Sequence, residues 1–145
     1  MTRVNQRMEE TKKRILIVDD EEDLTWSLSR RLGRDSFDLE VHCANSGHHA
    51  LDVFKNHRID LLVTDLRMPG IDGIELVSRV KDQYPQTSVI VMTAYGTVDA
   101  KEALNKIGIM GYIEKPFEFD EFKKLIHQNL TEAFGPDRLP RCELI

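Results

Sequence analysis

The sequence predicts a doubly wound α/β sandwich, a five-stranded parallel sheet with helices on both faces, and three observations carry that expectation. Short β-rich apolar runs alternate with helical patterns of roughly ten to fifteen residues from Lys13 to Phe134, the pattern of repeated βα units. Two runs, Ile15–Val18 and Val89–Met92, are continuously apolar, as strands buried on both faces must be. Turn and capping residues separate the runs, and parallel neighbours need right-handed helical crossovers of about this length.

The elements follow in order. "RILIVDD" is a first strand ending in acids, and "EEDLTWSLSRRLG" places Leu24, Leu28 and Leu32 on one helical stripe that Gly33 is expected to stop. "LEVHCA" reads as a second strand and "SGHHALDVFKNH" as a helix begun by Ser46. "IDLLVTD" is a buried third strand, followed by the helix "DGIELVSRVKDQY", which ends ahead of Pro85. "TSVIVMTA" is the fourth strand, and "TVDAKEALNKIG" a helix with Thr97 as N-cap and Gly108 at its end. "MGYIEK" and "EFDEFKKLIHQNLTEAF" supply the last strand and helix. Residues 1–12 are polar and mixed in charge, without a buriable face, and read as a flexible leader; residues 135–145, with two prolines and one glycine, read as a tail or the start of a linker. The domain proper is 13–134.

Composition narrows the function. A chain of 145 residues with 41% hydrophobic and 31% charged residues suits one soluble domain. Its net charge of −5 argues against binding nucleic acid through phosphate contacts. There is no apolar leader and no run near the ~18 apolar residues of a membrane span, so a cytoplasmic protein is expected. Cys43 and Cys142 form no CxxC or Cys/His pattern and read as thiols of a reducing compartment. His48, His49, His57 and His127 read as ordinary solvated side chains, and Trp26 as a packing residue.

In open parallel sheets chemistry gathers beyond the carboxyl ends of the strands. There this chain places Asp19-Asp20, Asp65, Thr93 and Glu114-Lys115-Pro116. Each has a plain alternative, since acids at strand ends often cap helices and a threonine there is more often a strand residue than a ligand. Their joint placement is what points to a site. Three carboxylates on one edge repel unless a cation intervenes. An all-oxygen donor set favours a hard ion, and Mg²⁺, which keeps several waters, suits carboxylates combined with phosphate oxygens. Lys115 adds a second positive charge, completing the equipment of phosphoryl transfer. Asp65, alone at the central third strand, is the best candidate for a phosphoryl acceptor, with Asp19-Asp20 better suited to ligation and Thr93 able to hydrogen-bond a phosphoryl oxygen.

"ILIVDDEED", "LLVTDLRMPGIDGIEL", "VIVMTAYG" and "YIEKPFEFDEF" together resemble the receiver domain of two-component response regulators, most closely in look the receivers of nitrogen-regulation (sigma-54 activator) regulators. The resemblance implies a flavodoxin-like (βα)5 fold with strand order 2-1-3-4-5. It implies that Asp65 is the phosphoacceptor, charged by a sensor histidine kinase, with Mg²⁺ held by Asp65, by Asp20 directly, by Asp19 mainly through water, and by the backbone carbonyl of Arg67. It makes Thr93 the switch hydroxyl, Lys115 the phosphate-pairing lysine ahead of a cis peptide to Pro116, and Tyr112 the aromatic whose rotamer reports activation. Arg67 and Tyr95 occupy positions that modulate the lifetime of the phosphoryl group. The implied partners are the kinase and an effector domain or protein reading the face of the fourth helix and fifth strand, with a homodimer compatible and no direct contact to nucleic acid or membrane. The implied protein is a signalling phosphoprotein that catalyses its own phosphorylation and dephosphorylation and is not otherwise an enzyme. Ile109 and Gly111 stand where many receivers carry Ala and Asp.

Two alternatives are weighed beside it. A Mg²⁺-dependent aspartate-nucleophile phosphohydrolase needs two aspartates spaced two apart on the first strand, and Asp19-Asp20 is contiguous. A receiver that is never phosphorylated would serve purely as an interaction module. No GxxxxGK[ST] occurs in the chain, and Glu21-Glu22-Asp23 after the first strand would repel a bound nucleotide.

Overall fold

The computed structural model describes residues 12–35, 38–94 and 96–133, with the side chains of 131–133 excepted. Tyr95, Cys142, the tail and all but the last residue of the leader lie outside the described residues.

Five strands, β1 (Lys13–Val18), β2 (Leu39–Ala44), β3 (Leu61–Thr64), β4 (Ser88–Thr93) and β5 (Gly111–Glu114), form one parallel sheet in the order β2-β1-β3-β4-β5. Five helices connect and follow them: α1 (Glu22–Asp35), α2 (Gly47–Asn56), α3 (Gly73–Gln83), α4 (Val98–Ile107) and α5 (Phe119–Ala133). The twofold period of the strands splits the core in two. Leu16, Val18, Leu62, Val89 and Val91 face α2, α3 and α4, meeting Ala50, Phe54, Leu76, Val77 and Leu104. Ile15, Ile17, Leu61, Val63, Ile90 and Met92 face α1 and α5, meeting Leu28, Leu32, Phe122 and Ile126. This is why β1, β3 and β4 read as unbroken apolar runs.

The helix starts are capped as their sequences require: Ser46 Oγ accepts from the His49 N–H at 3.1 Å, Asp72 Oδ1 from Glu75 at 2.8 Å, and Thr97 Oγ1 from Ala100 at 3.0 Å. Gly108 ends α4 in the left-handed region at φ 94°, where a side chain would be strained. Gly33 corrects the expectation that it stops α1. The helix continues to Asp35, because Gly33 is exposed and adopts no positive φ, while Leu28 and Leu32 stay packed. The third strand is also shorter than "IDLLVTD": pairing covers Leu61–Thr64, and Asp65 follows it.

Candidate functional site

Neighbouring parallel strands end at the same level, so residues just beyond them become spatial neighbours. Val18 pairs with Thr64 in the β1–β3 ladder, which sets Asp19 and Asp65 side by side. Both remain tied to the sheet by their backbones, since Asp65 N donates to Val18 O at 3.0 Å and Asp19 N to Ala44 O at 3.2 Å. Lys115 arrives from β5 and is held by its N–H on Thr93 O at 3.0 Å, and the Lys115-Pro116 peptide is cis, as expected.

The resulting cleft is acidic and largely desolvated. Asp19 is fully buried and Asp65 is 6% exposed, while Asp20 is exposed. One carboxylate oxygen from each lies within 4.8 Å of the others. The Lys115 ammonium bridges the two buried acids, at 2.5 Å from Asp19 Oδ2 and 3.1 Å from Asp65 Oδ2, and also meets Glu21 Oε1 at 3.3 Å. The other oxygens are oriented by backbone donors: Glu21 N–H to Asp19 Oδ1 at 2.9 Å, Leu66 N–H to Asp65 Oδ1 at 2.7 Å, and a long contact from Arg67 N–H at 3.5 Å. Burial raises the Asp19 carboxyl above its ordinary value, by more than its bonds to Lys115 and Glu21 lower it. Burial alone would depress Lys115, but its hydrogen bonds to Asp19 and Asp65 outweigh that and hold it well above the usual lysine range. One ammonium is thus shared between two buried carboxylates, and the cleft remains short of positive charge.

Thr93, the last residue of β4, is fully buried at this edge. Tyr112 lies one strand over, paired with Val91. Its hydroxyl is buried and has no hydrogen-bond partner among the described residues, and burial raises its phenol. Its ring packs under Lys101 Nζ at 5.0 Å from the centroid, and its hydroxyl presses so closely on Gly96 that a Cβ there would overlap it. Arg67 is exposed on the β3–α3 loop. An open cleft of about 580 Å³ runs from Asp20 and this loop to Thr97 and Ala100 at the start of α4, giving a bulky group access to the Asp20 side of the acidic cluster.

Asp19, Asp20, Asp65 and Lys115 are therefore brought together, with Thr93 buried at the same edge, while Glu114 turns away to pair with Lys101 at 3.3 Å; Tyr95 alone among the expected site residues lies outside the described ones. Sequence reasoning missed two glycines. The Gly73 N–H donates to Leu66 O at 2.8 Å, and a Cβ on Gly73 would overlap the carbonyl oxygen of Asp65. Gly73 thereby clamps the start of α3 against the loop that follows Asp65. Gly96 makes room for Tyr112. The only signal in the sequence was a glycine at each loop, which reads equally as an ordinary turn.

Fold and site together define a signalling receiver rather than a conventional enzyme. The chain belongs to the response regulator receiver domain family, whose model matches residues 15–127, and the function shared across that family is phosphorylation-dependent signalling. It is 38% identical over 117 residues to Regulatory protein AtoC of Escherichia coli K12, covering 81% of this chain and 25% of that protein. It is 33% identical over 118 residues to Sporulation initiation phosphotransferase F of Bacillus subtilis, covering 81% of this chain and 94% of that protein. Among solved structures it is similar to the beryllofluoride-activated NtrC4 receiver domain dimer, with a TM-score of 0.76 and 32% identity over 83% of this chain and 98% of that one. The chain thus spans about a quarter of AtoC. No helix among the described residues is long and apolar enough to cross a membrane.

Proposed function

We propose that Asp65 accepts a phosphoryl group from the phosphohistidine of a sensor histidine kinase, with Mg²⁺ held by Asp19, Asp20, Asp65 and the backbone carbonyl of Arg67. The observation that carries this reading is the single ammonium of Lys115 shared between two buried carboxylates, with a third beside them. The donor set fits the ion: all oxygen, no imidazole or thiolate, and open on the Asp20 side to water. A bound Mg²⁺ would supply the positive charge that offsets the three neighbouring carboxylates and the oxygens of the group in transfer.

The residues of the chain do the rest. A carboxylate oxygen of Asp65 attacks phosphorus, forming the acyl phosphate as the bond from phosphorus to the donor imidazole nitrogen breaks. The Leu66 N–H holds the Asp65 carboxylate in place, and Lys115 exchanges its Asp65 contact for a phosphoryl oxygen. The buried Thr93 hydroxyl donates to another phosphoryl oxygen and draws the β4–α4 loop with it. The domain, 13–134, thereby catalyses its own phosphorylation, and water entering the same cleft reverses it, with Arg67 and Tyr95 setting how long the group survives.

The output face is α4 and β5. α4 fully buries Leu104 alone, with Ala100 and Ile107 partly buried, while its first residue Val98 is 71% exposed and Met110 after it 41%, so this face exposes apolar surface that an effector or a second receiver can cover. A loop movement at Thr93 shifts Gly96 against Tyr112, coupling the acyl phosphate to that face. A cytoplasmic location, where a kinase and its ATP-derived phosphate are found, belongs to this reading. The test is intact-mass measurement after incubation with acetyl phosphate and Mg²⁺. Wild type is expected to gain one phosphoryl group and Asp65→Asn none; no gain in either would leave a receiver that acts only as an interaction module.

A further inference from the structure

A second group of ligating side chains converges at the other end of the sheet. Glu40 and His42 stand two residues apart on the edge strand β2 and share a face. Their neighbours Leu39 and Val41 pack toward α1 and α5, while Ala44 packs toward α2, so Glu40 and His42 project toward the side that α2 covers. His57 comes to them from the end of α2, where its backbone N–H donates to Val53 O at 2.9 Å. The two imidazole rings lie 4.7 Å apart between centroids, tilted by 38°. Glu40 Oε2 is 2.6 Å from His42 Nε2, and one ligand atom from each of the three residues lies within 4.8 Å of the others. His42 and Glu40 are partly exposed, at 25% and 37%, and His57 is exposed, so solvent reaches the group.

The geometry points to Glu40, His42 and His57 as a binding site for a late first-row divalent metal ion, Zn²⁺ foremost, separate from the acidic cleft. Two imidazoles and one carboxylate form a borderline donor set that suits Zn²⁺, Ni²⁺ or Cu²⁺ and not the hard Mg²⁺. With bonds of roughly 2.0–2.2 Å, ligand atoms around a tetrahedral ion sit about 3.4 Å apart. Side-chain rotation at the exposed His57 closes the remaining separation, and water completes the coordination. Arg14, whose Nε is 3.2 Å from the same Glu40 oxygen, orients the carboxylate but places a positive charge beside the ion, which limits affinity. A bound ion would fasten the edge strand β2 to the end of α2, adding to the packing of Ala44 with Ala50 and Phe54.

The experiment is calorimetric titration of the whole chain with Zn²⁺ at neutral pH in excess Mg²⁺, repeated on variants. His42→Ala and His57→Ala are each expected to weaken Zn²⁺ binding at least about tenfold, given that loss of even an outer-shell partner costs that much. The paired change His48→Ala with His49→Ala, and separately Asp20→Asn, should bind Zn²⁺ as wild type does. Retained phosphorylation by acetyl phosphate in the His42 and His57 variants shows that they fold. No Zn²⁺ binding by wild type overturns the assignment, as does binding that survives both single changes or that is lost in the His48/His49 or Asp20 variants instead.

Discussion

The two ligand-bearing regions of this domain are built by different means. At the carboxyl edge, parallel pairing alone brings Asp19, Asp65, Thr93 and Lys115 together, because each is the residue at or just past a strand end. The group is buried, all oxygen apart from one ammonium, and electrostatically strained. On β2, Glu40, His42 and His57 meet because a strand face happens to lie beneath the end of a helix, and the group is partly exposed and relaxed. Buried charge that topology forces together must be compensated by a ligand or a neighbour, whereas an exposed cluster can stand without one. The acidic cleft should therefore respond strongly to mutation, and the β2 cluster mainly to added metal.

The largest effect expected is chemical: Asp65→Asn should abolish phosphorylation altogether, read by intact mass. Next, Lys115→Ala removes the ammonium that pairs with both buried carboxylates and should lower unfolding free energy by about 3 kcal/mol in Mg²⁺-free buffer, in the range for breaking a buried pair. Added Mg²⁺ should recover part of that loss, because an ion that binds only the folded state stabilises it by mass action. A denaturant titration with and without Mg²⁺ measures both. Gly73→Ala puts a methyl against the Asp65 carbonyl and should cost about 1–3 kcal/mol as overpacking while slowing phosphorylation, since the acceptor loop must shift; an unchanged midpoint would show that the close approach is easily relieved.

The smallest effect has the opposite sign. Burial raises the folded-state pKa of Asp19, so its carboxyl favours folding while protonated, and that contribution is lost as pH rises through the raised value. Without Mg²⁺, Asp19→Asn should therefore be more stable than wild type at neutral pH by about 1 kcal/mol, the usual scale of a point change. The difference should shrink in acid. Thermal melts across pH test it, and in Mg²⁺ the order of the two proteins should reverse because the variant loses a ligand.

How much of this was legible in the sequence follows from the same contrast. The βα alternation gave the fold, and the rule that strand ends meet gave the acidic site, because both depend only on periodicity and order along the chain. Ser46, Thr97 and Gly108 cap their helices as read, since capping is local. Gly33 misled because a glycine can end a helix or simply be tolerated on its exposed side, and tertiary packing of Leu28 and Leu32 decided the matter. Gly73 and Gly96 act through distances across loops, which no periodicity encodes. His57 was read as a solvated side chain; it is exposed, yet its ring lies tilted against that of His42, a contact fixed by where α2 ends above β2.

The central claim, that topology makes Asp65 the one acceptor among three neighbouring aspartates, is tested most directly by locating the modification. After incubation with acetyl phosphate and Mg²⁺, reduction with borohydride converts an aspartyl phosphate to homoserine, and peptide mass spectrometry then reads its position. The account predicts homoserine at position 65 and unmodified Asp19 and Asp20. Homoserine at position 19 or 20, or phosphorylation at a residue outside the cleft, would contradict it.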